Sequence, residues 1–173
     1  MDTAATLALL GVLAVWGVRD YEHRRAVNAL KSYVYEKADP IRASAYPFWW
    51  SPFKWNGVVE TQNFYATTLV NSLGPEVDPD ADMQILYKPE ETPVTLAAKN
   101  SRLGRAYLDW AAYPITETEP IESPQPGHLV RFMDLRFSRS PFTGKKTLSA
   151  GVELDNHLHV VTEIFGRYRQ TIP

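Results

Sequence analysis

The sequence predicts an α+β fold: an N-terminal membrane and amphipathic helix, followed by an antiparallel β-sheet packed with one α-helix. Three observations carry this. Residues 3–18 are uncharged and mostly apolar. After residue 56, short runs of β-branched and aromatic residues alternate with turn-forming Gly, Pro, Asn and Asp. Between those runs, Thr92-Pro93 opens a segment with Leu96, Leu103, Tyr107 and Trp110 on one helical face. Strands gathered around a single helix place the chain in the α+β class.

The expected organisation has three parts. Residues 1–38 form a transmembrane anchor with a juxtamembrane helix, 39–56 an aromatic and proline-rich linker, and 57–173 a soluble α+β domain. A chain of 173 residues holds one ordinary domain plus such an attachment. Its net charge of −2, from 18 basic and 20 acidic residues, supplies no field for nucleic acid, which is not an expected partner. It has no cysteine, so disulfides, thiolate catalysis and thiolate metal sites are excluded.

Taken in order, Thr3–Val18 would span about 24 Å as a helix, slightly short of a hydrocarbon core of roughly 30 Å. Trp16 suits the interface. A signal peptide would want basic residues before the apolar run, whereas Arg19, Arg24, Arg25 and Lys31 all follow it. The same asymmetry places the C-terminal side of this single span in the cytoplasm. The alternative is a buried core helix, which would make the chain a soluble small-ligand binder. From Arg19 to Lys37 the helix should continue as an amphipathic one, stopping at Asp39-Pro40. Tyr46–Trp55 then packs six aromatics and two prolines into ten residues, fitting a bilayer interface or the mouth of a groove.

Gly57–Thr61 and Phe64–Val70 read as a hairpin around Gln62-Asn63, and Met83–Tyr87 as a short strand. Asp78, Asp80 and Asp82 have the spacing that opens a calcium loop. The following glycine is replaced by Met83 and no glutamate follows at the proper distance, so an acidic turn is expected. One helix should run from Thr92 to about Ala111 or Ala112. Strands are expected at Ile115–Ile121, His128–Phe137, Thr147–Leu154 and His157–Phe165, with a loop at Ser138–Lys146 and a tight turn at Asp155-Asn156. In the strand from His128, the face of Leu129, Arg131, Met133, Leu135 and Phe137 is the expected core face.

Chemistry is sparsely signalled. His157 and His159, two apart on an expected strand with Glu163 beyond them, are the candidate metal ligands, an incomplete set. Asp134 and Arg136 could pair on one strand face, and Glu60 could join Asp134 as a second carboxylate for acid–base work. A solvated salt-bridge cluster is the simpler reading.

Several segments together resemble a known family. They are Arg24–Leu30, Pro52–Thr61, Phe64-Tyr65, Val77–Pro79, Tyr87–Glu90, Leu108–Pro114, Asp134–Phe137 and Val152–Asp155. In this order they are similar to the bacterial membrane-bound metal-dependent hydrolases, also described as LexA-regulated inner-membrane hydrolases. The resemblance covers the last membrane helix and the soluble domain of that family. It implies a hydrolase that uses a divalent metal. The family's metal-binding histidines and aspartates lie in an N-terminal multi-helix portion without counterpart here, and none of His23, His128, His157 or His159 maps onto them. The expectation is therefore an accessory, substrate-shaping domain whose partners are the membrane and a separate membrane-embedded hydrolase portion. Trp55, Glu60, Tyr65, Trp110, Asp134 and Arg136 are expected to form its substrate-facing surface. The alternative is a non-catalytic, membrane-anchored binding or scaffolding domain.

Overall fold

The computed structural model describes residues 3–48, 50–74, 82–122, 126–137 and 148–172. Asp78 and Asp80 of the acidic turn and the expected loop at 138–146 lie outside these residues. The fold is α+β, with one long α-helix, two short ones and two antiparallel sheets among the described residues. The chain forms two compact units, Met1–Tyr87 and Lys88–Pro173. Each has its own hydrophobic cluster.

The first unit begins with α1 (Thr3–Ser32), about 45 Å long at 1.5 Å per residue. Its N-terminal part is long and apolar enough to cross a membrane, and none of that apolar window is buried. Leu7, Leu10, Leu13, Trp16 and Val18 are all exposed, so the buried-helix alternative does not describe this segment. The C-terminal part is different. Glu22, Ala26 and Leu30, four residues apart, bury one face against β1 (Arg42–Pro47) and β2 (Lys54–Glu60). A Cβ at Gly57 would stand 3.0 Å from Leu30 Cδ2 and 3.1 Å from Thr68 Cγ2, so glycine permits this close approach.

The helix stops at Ser32, not at the expected Lys37. Tyr35 is fully buried, and its hydroxyl donates to the Leu30 carbonyl at 2.9 Å, satisfying an acceptor that the helix end leaves open. Glu36 and Lys37 then take positive φ in a two-residue turn closed by paired Tyr35–Ala38 hydrogen bonds.

Strands β1, β2, β3 (Phe64–Asn71) and β4 (Gln84–Tyr87) form a meander in chain order. The hairpin expected at Gln62-Asn63 is present, with the Thr61 hydroxyl accepting from the Phe64 amide at 3.2 Å. Residues 39–56, read as a linker, contain β1 and the start of β2. Pro47 is tolerated because β1 is an edge strand.

In the second unit the expected single helix is two: α2 (Pro93–Asn100) and α3 (Arg102–Trp110). Thr92 caps α2 as expected, in a reciprocal box with Thr95. Ser101 makes the break. It is at once the C-cap of α2 and the N-cap of α3, and its hydroxyl accepts from Gly104 N at 2.9 Å. A Cβ on Gly104 would lie 2.1 Å from the Ala98 carbonyl oxygen, so this tight junction needs glycine.

The second sheet is a five-stranded meander: β5 (Pro114–Ile121), β6 (Gly127–Asp134), β7 (Ala150–Asp155), β8 (Val160–Phe165) and β9 (Tyr168–Thr171). Helix α2 packs on β6 and β7, and α3 packs on β7. Strand β9 was not anticipated; Gly166, at φ +59°, opens the two-residue turn that leads to it. The core face of β6 is the reverse of the expected one. Val130, Phe132 and Asp134 are buried, while Leu129, Arg131 and Met133 are only partly covered. Both faces carry apolar side chains, and the helices cover the face whose count was lower. The strand also ends at Asp134, with Leu135–Phe137 turning into one 3-10 turn.

Candidate functional site

The candidate site builds on the aromatic stretch where it meets α1. Pro47 stands opposite Trp55 in the β1–β2 register, so both fall at one end of the first sheet. Trp55 is 2% exposed, and its indole Nε1 donates to Ser72 Oγ at 3.1 Å. Ser72 in turn donates from its amide and hydroxyl to the Phe53 carbonyl at 2.8 and 3.2 Å. The end of β3 is thereby tied to the aromatic turn. Helix α1 is pinned to the same place by Arg25. Its Nη1 and Nη2 each donate at 2.7 Å, to the carbonyls of Ser72 and Gly74, while buried Glu22 balances its charge at 3.3 Å. The sequence marked Arg25 only as one of the basic residues after the apolar run and did not mark Ser72, since the bonds from Arg25 to Ser72 and Gly74 join residues 47 and 49 positions apart.

Two grooves flank Trp55. One, of about 330 Å³, is lined by Trp16, Arg19, Asp20 and His23 from α1 and by Pro47 and Trp55 from the sheet. The four helical positions follow 3.6-residue spacing and so share one face. Arg19 Nη2 donates to the Phe48 carbonyl at 3.4 Å, and its guanidinium lies 5.9 Å from the Trp55 ring centre. The His23 ring stands 5.2 Å from that of Trp55. The second groove, also about 330 Å³, is lined by Phe48, Trp50, Lys54 and Trp55 with the end of β3.

The other expected surface residues fall into separate clusters. Glu60 and Tyr65 are cross-strand partners in the first unit. Glu60 binds Arg42 at 2.9 Å, and Tyr65 is buried. In the second unit Trp110, Asp134 and Arg136 come together. The Asp134 carboxylate is fully buried and accepts from Ala112 N at 2.8 Å, Arg136 N at 2.9 Å and Arg136 Nε at 2.8 Å. Arg136 then lies 4.7 Å over Trp110 and 5.2 Å from Phe137, whose rings stack at 5.8 Å. The expected Asp134–Arg136 pair exists, but Arg136 belongs to the 3-10 turn and not to the strand. Its work is to lock the end of α3 to the end of β6.

His157 and His159 lie in the loop between β7 and β8, and not on a strand as expected. Asp155 Oδ1 accepts from both of their amides at 2.8 Å, Leu158 takes φ +66°, and both imidazoles are exposed. These amide bonds, that from His159 first, hold the Asp155 carboxyl below its ordinary value. Glu163 is buried and accepts from Leu103 N at 2.8 Å, capping the first turn of α3. Among the described residues, no three His, Asp or Glu side chains converge to hold a metal ion. Comparisons with protein-family models, with curated proteins and with solved structures find no match to this chain.

Proposed function

We propose that this chain is a membrane-anchored domain, facing the cytoplasm, that shapes a binding surface at the bilayer as the accessory part of a metal-dependent hydrolase. The single observation carrying the reading is the continuity of α1. One unbroken helix is bare and apolar at its N-terminal end and docked on a sheet at its C-terminal end. Such a helix fixes the sheet at a set height over the membrane, where a flexible linker would let it wander. The groove lined by Trp16, Arg19 and Pro47 lies at the junction of the two parts of α1, so it would open at the membrane surface. The basic residues following the apolar run support the cytoplasmic orientation. The hydrolase assignment rests on the family resemblance, which gives the metal to a separate membrane-embedded portion. The second reading is a non-catalytic membrane-anchored binding or scaffolding domain, which the same continuous helix and groove would equally serve.

The cysteine-free sequence makes the test direct. Single cysteines placed at exposed Tyr168 and exposed Leu7 are challenged with a membrane-impermeant maleimide in spheroplasts and in inverted inner-membrane vesicles. The Tyr168→Cys variant should react in the inverted vesicles alone, and Leu7→Cys in neither until detergent is added. Labelling of Tyr168→Cys in intact spheroplasts would reverse the orientation. Free reaction of Leu7→Cys without detergent would remove the anchor. Co-purification of a metal-loaded, membrane-embedded hydrolase with the solubilised chain separates the accessory reading from the scaffold one.

A further inference from the structure

The groove between Trp16 and Trp55 has a chemistry that the anchored-domain reading leaves unused. Its lower wall is Trp16, 70% exposed and at the end of the apolar run. Its upper wall is exposed Pro47, with only an edge of the 2% exposed Trp55 reaching the groove behind it. Arg19 lies between them, three residues beyond Trp16, a rise of about 4.5 Å. If Trp16 marks the boundary of the hydrocarbon, Arg19 stands at the level of the lipid phosphates.

The charges decide what such a groove takes. Asp20 also lines it, but its carboxylate is bound by Arg24 at 2.9 Å. Among the described residues, Arg19 has no carboxylate partner, its contacts being the Phe48 carbonyl and the Trp55 ring. Of its five N–H donors one goes to that carbonyl, leaving a fork suited to a phosphodiester. A cationic headgroup finds less here. The Trp55 ring already carries the Arg19 guanidinium, and Asp20, the carboxylate lining the groove among the described residues, is already engaged by Arg24 in an exposed ion pair. The rest of the lining is indole, imidazole and proline, an apolar slot for the glycerol backbone and the first carbons of a chain. A volume of about 330 Å³ lies within the range of small-ligand sites.

We infer that this groove is a binding site for one anionic phospholipid drawn from the surrounding leaflet, its phosphodiester held by Arg19 and its proximal chain lying between Trp16 and Pro47. The inference rests on α1 crossing the bilayer as proposed above. It gives the aromatic stretch a role: Pro47, backed by the buried Trp55, walls the slot beside Arg19, the headgroup anchor on α1. The lipid would also brace α1 against the sheet, since both line the groove.

The test uses the full chain in nanodiscs containing equal amounts of phosphatidylcholine and phosphatidylglycerol. Lipid retained by the protein is counted by native mass spectrometry after release. The expected result is one phosphatidylglycerol retained in preference to phosphatidylcholine. Arg19→Gln should lower that retention by about tenfold or more, the size expected for losing a charge-assisted hydrogen bond. Lys31→Gln, an equal charge change outside the groove, should leave retention unchanged, and circular dichroism should show both variants folded. Equal retention of the two lipids overturns the inference, and so does an Arg19→Gln variant that retains lipid like the wild type. Displacement by inorganic phosphate or glycerol phosphate would make the site one for soluble anions, which also overturns it. Flotation with vesicles is scored separately. A chain that does not float removes the anchor and this inference together, whereas one that floats without selecting phosphatidylglycerol removes only the lipid site.

Discussion

Asp134 shows how a charge can be placed in a core at acceptable cost. Its carboxylate is fully covered, yet two backbone amides and a guanidinium donate to it. Asp134→Ala deletes the acceptor and leaves those donors, one of them charged, without it. The expected loss is about 3–5 kcal/mol in chemical denaturation, the range for breaking a buried ion pair from one side. Asp134→Asn should cost less, because the amide oxygen still accepts. Tyr107 offers a titration test nearby. Its hydroxyl donates to the Leu148 carbonyl at 2.8 Å. Burial first, then the Asp134 charge, push it up to about 12, with Arg136 pulling the other way. A folded value above the unfolded value of about 10 means that the unfolded chain releases this proton first. The stabilisation is therefore complete below pH 10 and is lost as pH rises through 12. Tyr107→Phe should flatten this alkaline decline in a pH series of thermal melts. Some slope should remain from Tyr35, which burial also raises.

At the scale of elements, the break between α2 and α3 is set by two small residues. Ser101 offers a hydroxyl that competes with the helical ladder and wins because Gly104 presents its amide to it. Helix α3 then starts under Glu163, whose carboxylate takes the Leu103 amide. Gly104→Ala would force a methyl against the Ala98 carbonyl, a backbone atom that cannot swing aside. The expected cost is about 1–3 kcal/mol in urea denaturation, as for overpacked sites. A negligible change would mean that α2 and α3 can separate freely. The sequence carried both residues, but a serine inside a continuous helical pattern is common, and only the fold tells a cap from a surface hydroxyl.

At the scale of the molecule, each unit has a sheet, helical cover and a buried cluster of its own. The second holds Ala98, Tyr107, Val130, Phe132, Ala150, Val152 and Leu154 without any residue of the first. A fragment of residues 88–173 should therefore fold by itself, with a cooperative melt and dispersed amide resonances. A collapsed fragment without a cooperative transition would show that the first unit is needed to complete it. The first unit differs in kind, because its helix leaves an apolar face that its own sheet does not cover.

The sequence by itself determined the apolar helix, the hairpin at Gln62-Asn63, the Thr92 cap and most strands. Each depends on residues within a few positions of one another, where spacing and turn chemistry act alone. It did not determine which face of β6 is buried, because both faces are apolar enough and the choice falls to the helices packed on it. Nor did it place the histidines, which leave the strand once Asp155 takes their amides and Leu158 turns to positive φ. Residues 39–56 looked like a linker for a similar reason. Their prolines and aromatics forbid a helix, but β1 and the groove beside Trp55 form only when β3 and α1 meet them. Those contacts join residues far apart in the chain, and the energy that selects them exists only in the folded state.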